Sequence, residues 1–168
     1  MMSDYFKNIN EINFEGESSN NPLSFKYYDE NKMVLGKTMK EHLRFATCYW
    51  HTFTWPGLDP FGGATFDRPW MSSGDPLKMA EIKLDEAFDF FKKIKTPFFC
   101  FHDRDISPEG SNYKETQSNF FHIIDMMESK MQYSGTKLLW GTANLFSHKR
   151  YMSGASTNPD PEVFAYKA

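Results

Sequence analysis

The chain has 168 residues, a formal net charge of -3 and 17% aromatic side chains, proportions that suit one soluble globular domain. Lys and Arg are scattered among acids rather than gathered in a stripe, which argues against a phosphate-backbone surface, and no stretch approaches the roughly 20 apolar residues of a membrane helix. The two cysteines, Cys48 and Cys100, sit among apolar neighbours and the N-terminus lacks the apolar core of a signal peptide, so reduced thiols and a cytoplasmic location are expected.

Residues 1–36 are polar and punctuated, with Gly16, the Ser18-Ser19-Asn20-Asn21-Pro22 cluster and Asp29-Glu30-Asn31 between short aromatic pieces. This reads as an extension that wraps a neighbouring surface through Phe14, Phe25 and Tyr27, and residues 37–168 as the domain proper. Thr38 and Glu41 have the spacing of a capping box and predict a short helix ending near Phe45. Ala46 to Thr52 has strand composition. A loop containing Pro56, Pro60, Gly62, Gly63 and Pro69 follows.

Asp75 as N-cap and Pro76 at the first helical position open a second helix, on which Leu77, Ala80, Leu84, Ala87, Phe88 and Phe91 recur at helical spacing. Phe98 to Phe101 then forms a continuous apolar run, read as a strand covered on both faces, and it stops abruptly at His102, Asp103, Arg104 and Asp105. After a loop through Pro108 and Gly110, Ser111 or Asn112 caps a third helix with Phe120, Ile123, Ile124, Met127 and Met131 as its buried stripe. Gly135 closes it. Lys137 to Thr142 is a third strand, and Asp160-Pro161-Glu162 starts a last helix near the end at Ala168.

Strands alternating with helices imply parallel strands and an α/β fold. About three such units do not close a barrel, since eight require about 250 residues. The expectation is therefore an incomplete barrel, truncated early in its third helix.

In barrels of parallel strands the chemistry lies where strands end. His102 and Asp105, three apart at a strand end, suit a carboxylate that orients one imidazole nitrogen and leaves the other to carry protons; a structural hydrogen bond is the competing reading. Trp50, Phe53, Trp55 and Phe61 follow the first strand, and Trp140, Thr142, Asn144 and Phe146 the third. Apolar walls with a few small polar groups suit a polyhydroxylated ligand, with Thr142 and Asn144 bonding hydroxyls or orienting a neighbouring group, and core filling is the alternative for each ring. Asp103, Asp105 and Glu109 lie close together, but Arg104 among them favours a solvated loop over a cation site.

The runs F-C-F-H-D-R-D-I-S-P-E-G, Y-W-H-T-F, D-P-F-G-G-A-T, R-P-W and L-L-W-G-T-A-N-L-F-S-H-K-R-Y-M-S-G-A-S-T-N-P resemble xylose isomerase, and I-N-F-E-G with N-N-P-L-S-F resembles its longer-chain class. The resemblance implies a TIM (β/α)8 barrel, usually a homotetramer. It also implies an intramolecular oxidoreductase that interconverts D-xylose with D-xylulose and D-glucose with D-fructose, using two divalent cations, Mg, Mn or Co.

On this resemblance His102 matches the histidine that helps open the cyclic sugar and Asp105 the aspartate that orients it. Trp50, Trp140, Thr142 and Phe146 match sugar-site residues, and Phe61 matches a phenylalanine lent to a neighbouring subunit. The family's metal ligands come from later strands, so no metal ligand is expected in this chain, which would be inactive alone. A non-catalytic half-barrel that assembles with itself or a partner, or a truncated remnant, is the alternative.

Overall fold

A computed structural model describes residues 5–167. Two short strands, β1 (Met33–Val34) and β2 (Lys37–Thr38), pair antiparallel. Leu35 and Gly36 between them both have positive φ, 48° and 81°, the turn that matches the twist of a two-residue hairpin. The helix α1 (Met39–His42) starts on the expected capping box: the Thr38 hydroxyl accepts from the Glu41 N–H, and Glu41 Oε2 accepts from the Thr38 N–H at 2.7 Å. It ends at His42, short of Phe45.

The first strand of the main sheet, β3 (Ala46–Cys48), is shorter than its composition predicts. At Tyr49 the backbone turns helical, and Trp50–Thr54 forms one π-helical turn closed by the Trp55 N–H on the Trp50 carbonyl. Packing overrides β propensity here: the turn buries Tyr49 and Phe53 completely in the core, where Phe53 meets Phe91 at 5.8 Å.

The helix α2 (Pro76–Ile94) begins as its sequence indicates, with Asp75 Oδ1 accepting from the Leu77 and Lys78 N–H groups, and ends at Lys95 in the left-handed conformation. Ala80, Leu84, Ala87, Phe88 and Phe91 are buried and Leu77 lies at the margin. Their partner is β4 (Phe98–His102), whose Phe99 stacks on Phe91 at 5.2 Å and meets Phe88 edge-on at 5.5 Å.

Where a loop was expected after β4, a one-turn helix follows at once, α3 (Asp103–Ile106). The helix α4 (Tyr113–Ser134) is capped by Asn112 Oδ1 on the Glu115 N–H and closed at Gly135, with φ of 75°. Only Ile123 and Met127 of its expected stripe are fully buried; Phe120, Ile124 and Met131 pack at the margin. Then come β5 (Lys137–Thr142), a 3-10 turn at Lys149–Tyr151, and α5 (Pro161–Lys167).

The sheet order is β3-β4-β5, parallel throughout, with Cys48 in register with Cys100, and His102 with Thr142. It is an open three-stranded sheet with helical cover on the α2 and α4 side. Every residue of β5 is exposed, including Leu138, Leu139 and Trp140. The two thiols are free, as expected, and burial raises the pKa of both.

The extension runs along α2. Phe6 packs on Trp70 and Phe90, Ile12 N–H donates to the Lys93 carbonyl, and Lys95 Nζ donates to Asn13 Oδ1 at 2.5 Å. Phe14 and Phe25 bridge each other within the extension. Tyr27 does not wrap anything, being 81% exposed; Tyr28 takes that role against Phe45. Among the described residues no helix is long and apolar enough to cross a membrane.

Candidate active site

The end of β4 delivers His102 to the sheet mouth, and the immediate start of α3 folds Asp105 back onto it. One carboxylate oxygen, Asp105 Oδ2, accepts from the His102 backbone N–H at 2.9 Å and lies 2.9 Å from His102 Nδ1. A carboxylate only accepts, so this bond puts a proton on Nδ1. Nε2 is left to exchange protons with a ligand. Asp105 is 7% exposed, so the bond is held away from competing water.

Three aromatic rings surround the imidazole. Trp50 is 4.6 Å from it, Trp140 5.9 Å and Phe146 5.3 Å, the last two edge-on, while the two indoles lie 5.5 Å apart. The π turn after β3 aims Trp50 here, and the β4–β5 register brings Trp140 beside Cys100 and Thr142 beside His102. Indole walls beside one polar pair present stacking surface to C–H faces and a proton carrier to an oxygen.

Five of the residues singled out from the sequence, Trp50, His102, Asp105, Trp140 and Phe146, are therefore brought together, with Thr142 adjacent in the sheet. Phe61 is not: it projects from the long loop, 98% exposed. Asn144 has a structural task instead of a free amide. Its Oδ1 accepts from the Phe146 and Ser147 N–H groups and its Nδ2 donates to Ser147 Oγ, so it shapes the loop that carries Phe146.

The acids beyond the pair are also committed. Asp103 accepts from the Asn144 N–H at 2.7 Å and pairs with Arg104; Glu109 pairs with Arg150 at 2.7 Å and accepts from the Tyr166 hydroxyl at 2.6 Å. Among the described residues no three His, Cys, Asp or Glu side chains are grouped to hold a metal ion. The donor set present does not fit a divalent cation, since each acid already faces a cation or a donor.

Sequence reasoning overlooked Lys83 and Thr54. Lys83, on α2, is 8% exposed, and its Nζ lies 3.4 Å from Thr54 Oγ1, which itself donates to the Asp105 carbonyl at 3.3 Å. Burial pushes the ammonium down to about 8, partly offset by the Asp105 charge. The signal was in the pattern: Lys83 falls one turn after Ala80 and one turn before Ala87, on the apolar face of its helix.

No protein-family model matches the chain. Among curated proteins, it is 61% identical over 167 residues to the xylose isomerase of Photobacterium profundum, across 99% of this chain and 38% of that protein. It is 58% identical over 164 residues to the xylose isomerase of Paraburkholderia phytofirmans, across 98% of this chain and 37% of the relative. With that of a Ruegeria species it shares 55% over 168 residues, across 100% of this chain and 38% of the relative. The chain spans about 38% of the length of the curated relatives it matches.

Proposed function

We propose, from the premise that this chain is homologous to the xylose isomerases over essentially its whole length, that it supplies the ring-opening and sugar-stacking part of an aldose–ketose isomerase site within a TIM barrel. The observation that carries this reading is the His102–Asp105 bond inside the cage of Trp50, Trp140 and Phe146. A cyclic aldose opens when its anomeric hydroxyl loses a proton, the ring C–O bond breaks and the ring oxygen gains a proton, leaving a C1 carbonyl. His102 Nε2 is the group to move that proton, while Asp105 holds the ring in one tautomer. Trp50 and Trp140 stack on the sugar's C–H face and exclude water, and Thr142 and Phe146 complete the wall. Phe61 serves a neighbouring copy.

The divalent cations of such isomerases assist the later hydride shift between C1 and C2. The side chains described here do not form their cage. The expected outcome for these 168 residues alone is sugar binding without turnover. The same reading carries glucose and fructose as a second sugar pair, a cytoplasmic location and a homotetrameric whole.

Titration with D-xylose, read by tryptophan fluorescence, tests the proposal: the signal should saturate and should disappear in Trp50→Phe paired with Trp140→Phe. A flat titration would sink it. Turnover of xylose by the 168 residues with added magnesium would refute the division of labour. A second reading, a half-barrel assembly module, is favoured by the exposure of all of β5. Light scattering separates the two, since a stable monomer contradicts the assembly reading.

A further inference from the structure

Behind the imidazole cage, on the helix side of the sheet, lies the buried group that the proposed chemistry does not use. Lys83 reaches from α2 between two layers. Its ammonium lies 5.9 Å from the centre of the Tyr49 ring and donates to Thr54 Oγ1, and the same hydroxyl donates onward to the Asp105 carbonyl. Lys83 is thus tied through Thr54 to the backbone of Asp105, the residue whose carboxylate holds His102. A lysine is seldom found so deep without a charge to answer it.

Asp105 faces the ammonium from α3, Tyr49 faces it from the end of β3, and Thr54 comes from the π turn. On its own helix, Glu86 lies one turn on and is also buried, and Asp85 is paired with Lys130 at 2.5 Å. Tyr49 supplies only a ring face and a neutral hydroxyl, because burial raises its pKa far above the usual phenol range. The Asp105 charge acts to keep Lys83 protonated.

We propose that Lys83 is a positioning residue for the His102–Asp105 pair, anchoring the Asp105 backbone through Thr54 while its charge acts on the carboxylate. Two features support it together: the bonds from Lys83 to Thr54 and from Thr54 to the Asp105 backbone, and the burial of both charges. Coupling between two ionisable groups is reciprocal, so the attraction that Asp105 exerts on the Lys83 ammonium is exerted equally by the ammonium on Asp105. A fixed cation there opposes loss of the carboxylate charge when His102 takes up a proton during sugar binding. The inference rests on the reading of His102 and Asp105 as a working pair, but its test uses no sugar.

The experiment is NMR of the protein in two variants. In the wild type the Lys83 side chain should titrate near 8, well below the surface lysines. In Asp105→Asn its proton affinity should fall by about threefold or more, the effect of removing one charge in a poorly screened site. In Lys83→Met the His102 Nδ1 proton signal should exchange with water faster than in the wild type. A merely structural lysine would leave the Nδ1 proton unchanged, whereas the Lys83 titration reports the coupling itself. If Lys83→Met does not fold, the Asp105→Asn titration decides alone. An unaltered Lys83 titration in that variant overturns the proposal, as does an unaltered Nδ1 proton in a folded Lys83→Met. Loss of xylose binding with the coupling intact would overturn the sugar reading and leave this one standing.

Discussion

Replacing Lys83 by methionine removes a buried charge while keeping an unbranched apolar stem of similar length. Folding drives the proton affinity of this lysine from 10.5 down to about 8, so the folded state disfavours the ammonium. The penalty is full below about 8 and disappears as pH rises towards 10.5, because between those values the unfolded chain binds the proton that the folded chain has released. At about 1.36 kcal/mol for each pKa unit, the penalty at neutral pH is about 3 kcal/mol. Loss of the bond to Thr54 subtracts about 1 kcal/mol. Lys83→Met should therefore be more stable than the wild type by about 2 kcal/mol at pH 7. The advantage should vanish and turn slightly negative near pH 10. Cys48, Cys100 and Tyr49, whose pKa values burial raises, destabilise both proteins at high pH and cancel in the difference. Urea unfolding of the two proteins at half-unit pH intervals measures it. A difference independent of pH between 7 and 10 would refute the reasoning. A stabilised variant with a loosened His102–Asp105 bond is the outcome expected where a site keeps a costly group for its work.

On the proposed reading, Asp105→Asn introduced into a complete xylose isomerase barrel that includes these residues should lower xylose turnover by about 10²–10⁴-fold, since the imidazole loses its orienting carboxylate; steady-state kinetics reads it, and a loss under about threefold contradicts the assignment. Phe91→Ala, which empties a site stacked on Phe99, should cost about 3–5 kcal/mol in urea unfolding, whereas Phe61→Ala on the exposed loop should change stability by less than about 0.5 kcal/mol. Asp75→Ala removes the acceptor for two N–H groups at the start of α2 and should cost about 1 kcal/mol by the same assay, with Asp75→Asn largely restoring it.

Local signals are the part of this molecule that the amino-acid order determined by itself. Thr38 with Glu41, Asp75 with Pro76, and Asn112 with Gly135 mark helix ends because a cap is satisfied within a turn of the chain, whatever lies elsewhere. The H-x-x-D spacing was likewise legible, since the first turn of α3 brings Asp105 back to His102 without help from a distant residue. The motif resemblance pointed to the relatives. What only the tertiary structure decided are the features set by partners far along the chain. Residues 49–52 have strand composition, yet they leave the sheet because Tyr49 and Phe53 gain more by entering the core with α2 than by extending a ladder. Asn144 reads as a free amide until its loop closes on Ser147. Lys83 is a polar exception on an apolar face, and its reason lies well ahead at Asp105 and 29 residues behind at Thr54. A buried charge acquires a meaning only when the fold brings a second charge to it, and no local pattern records that distance.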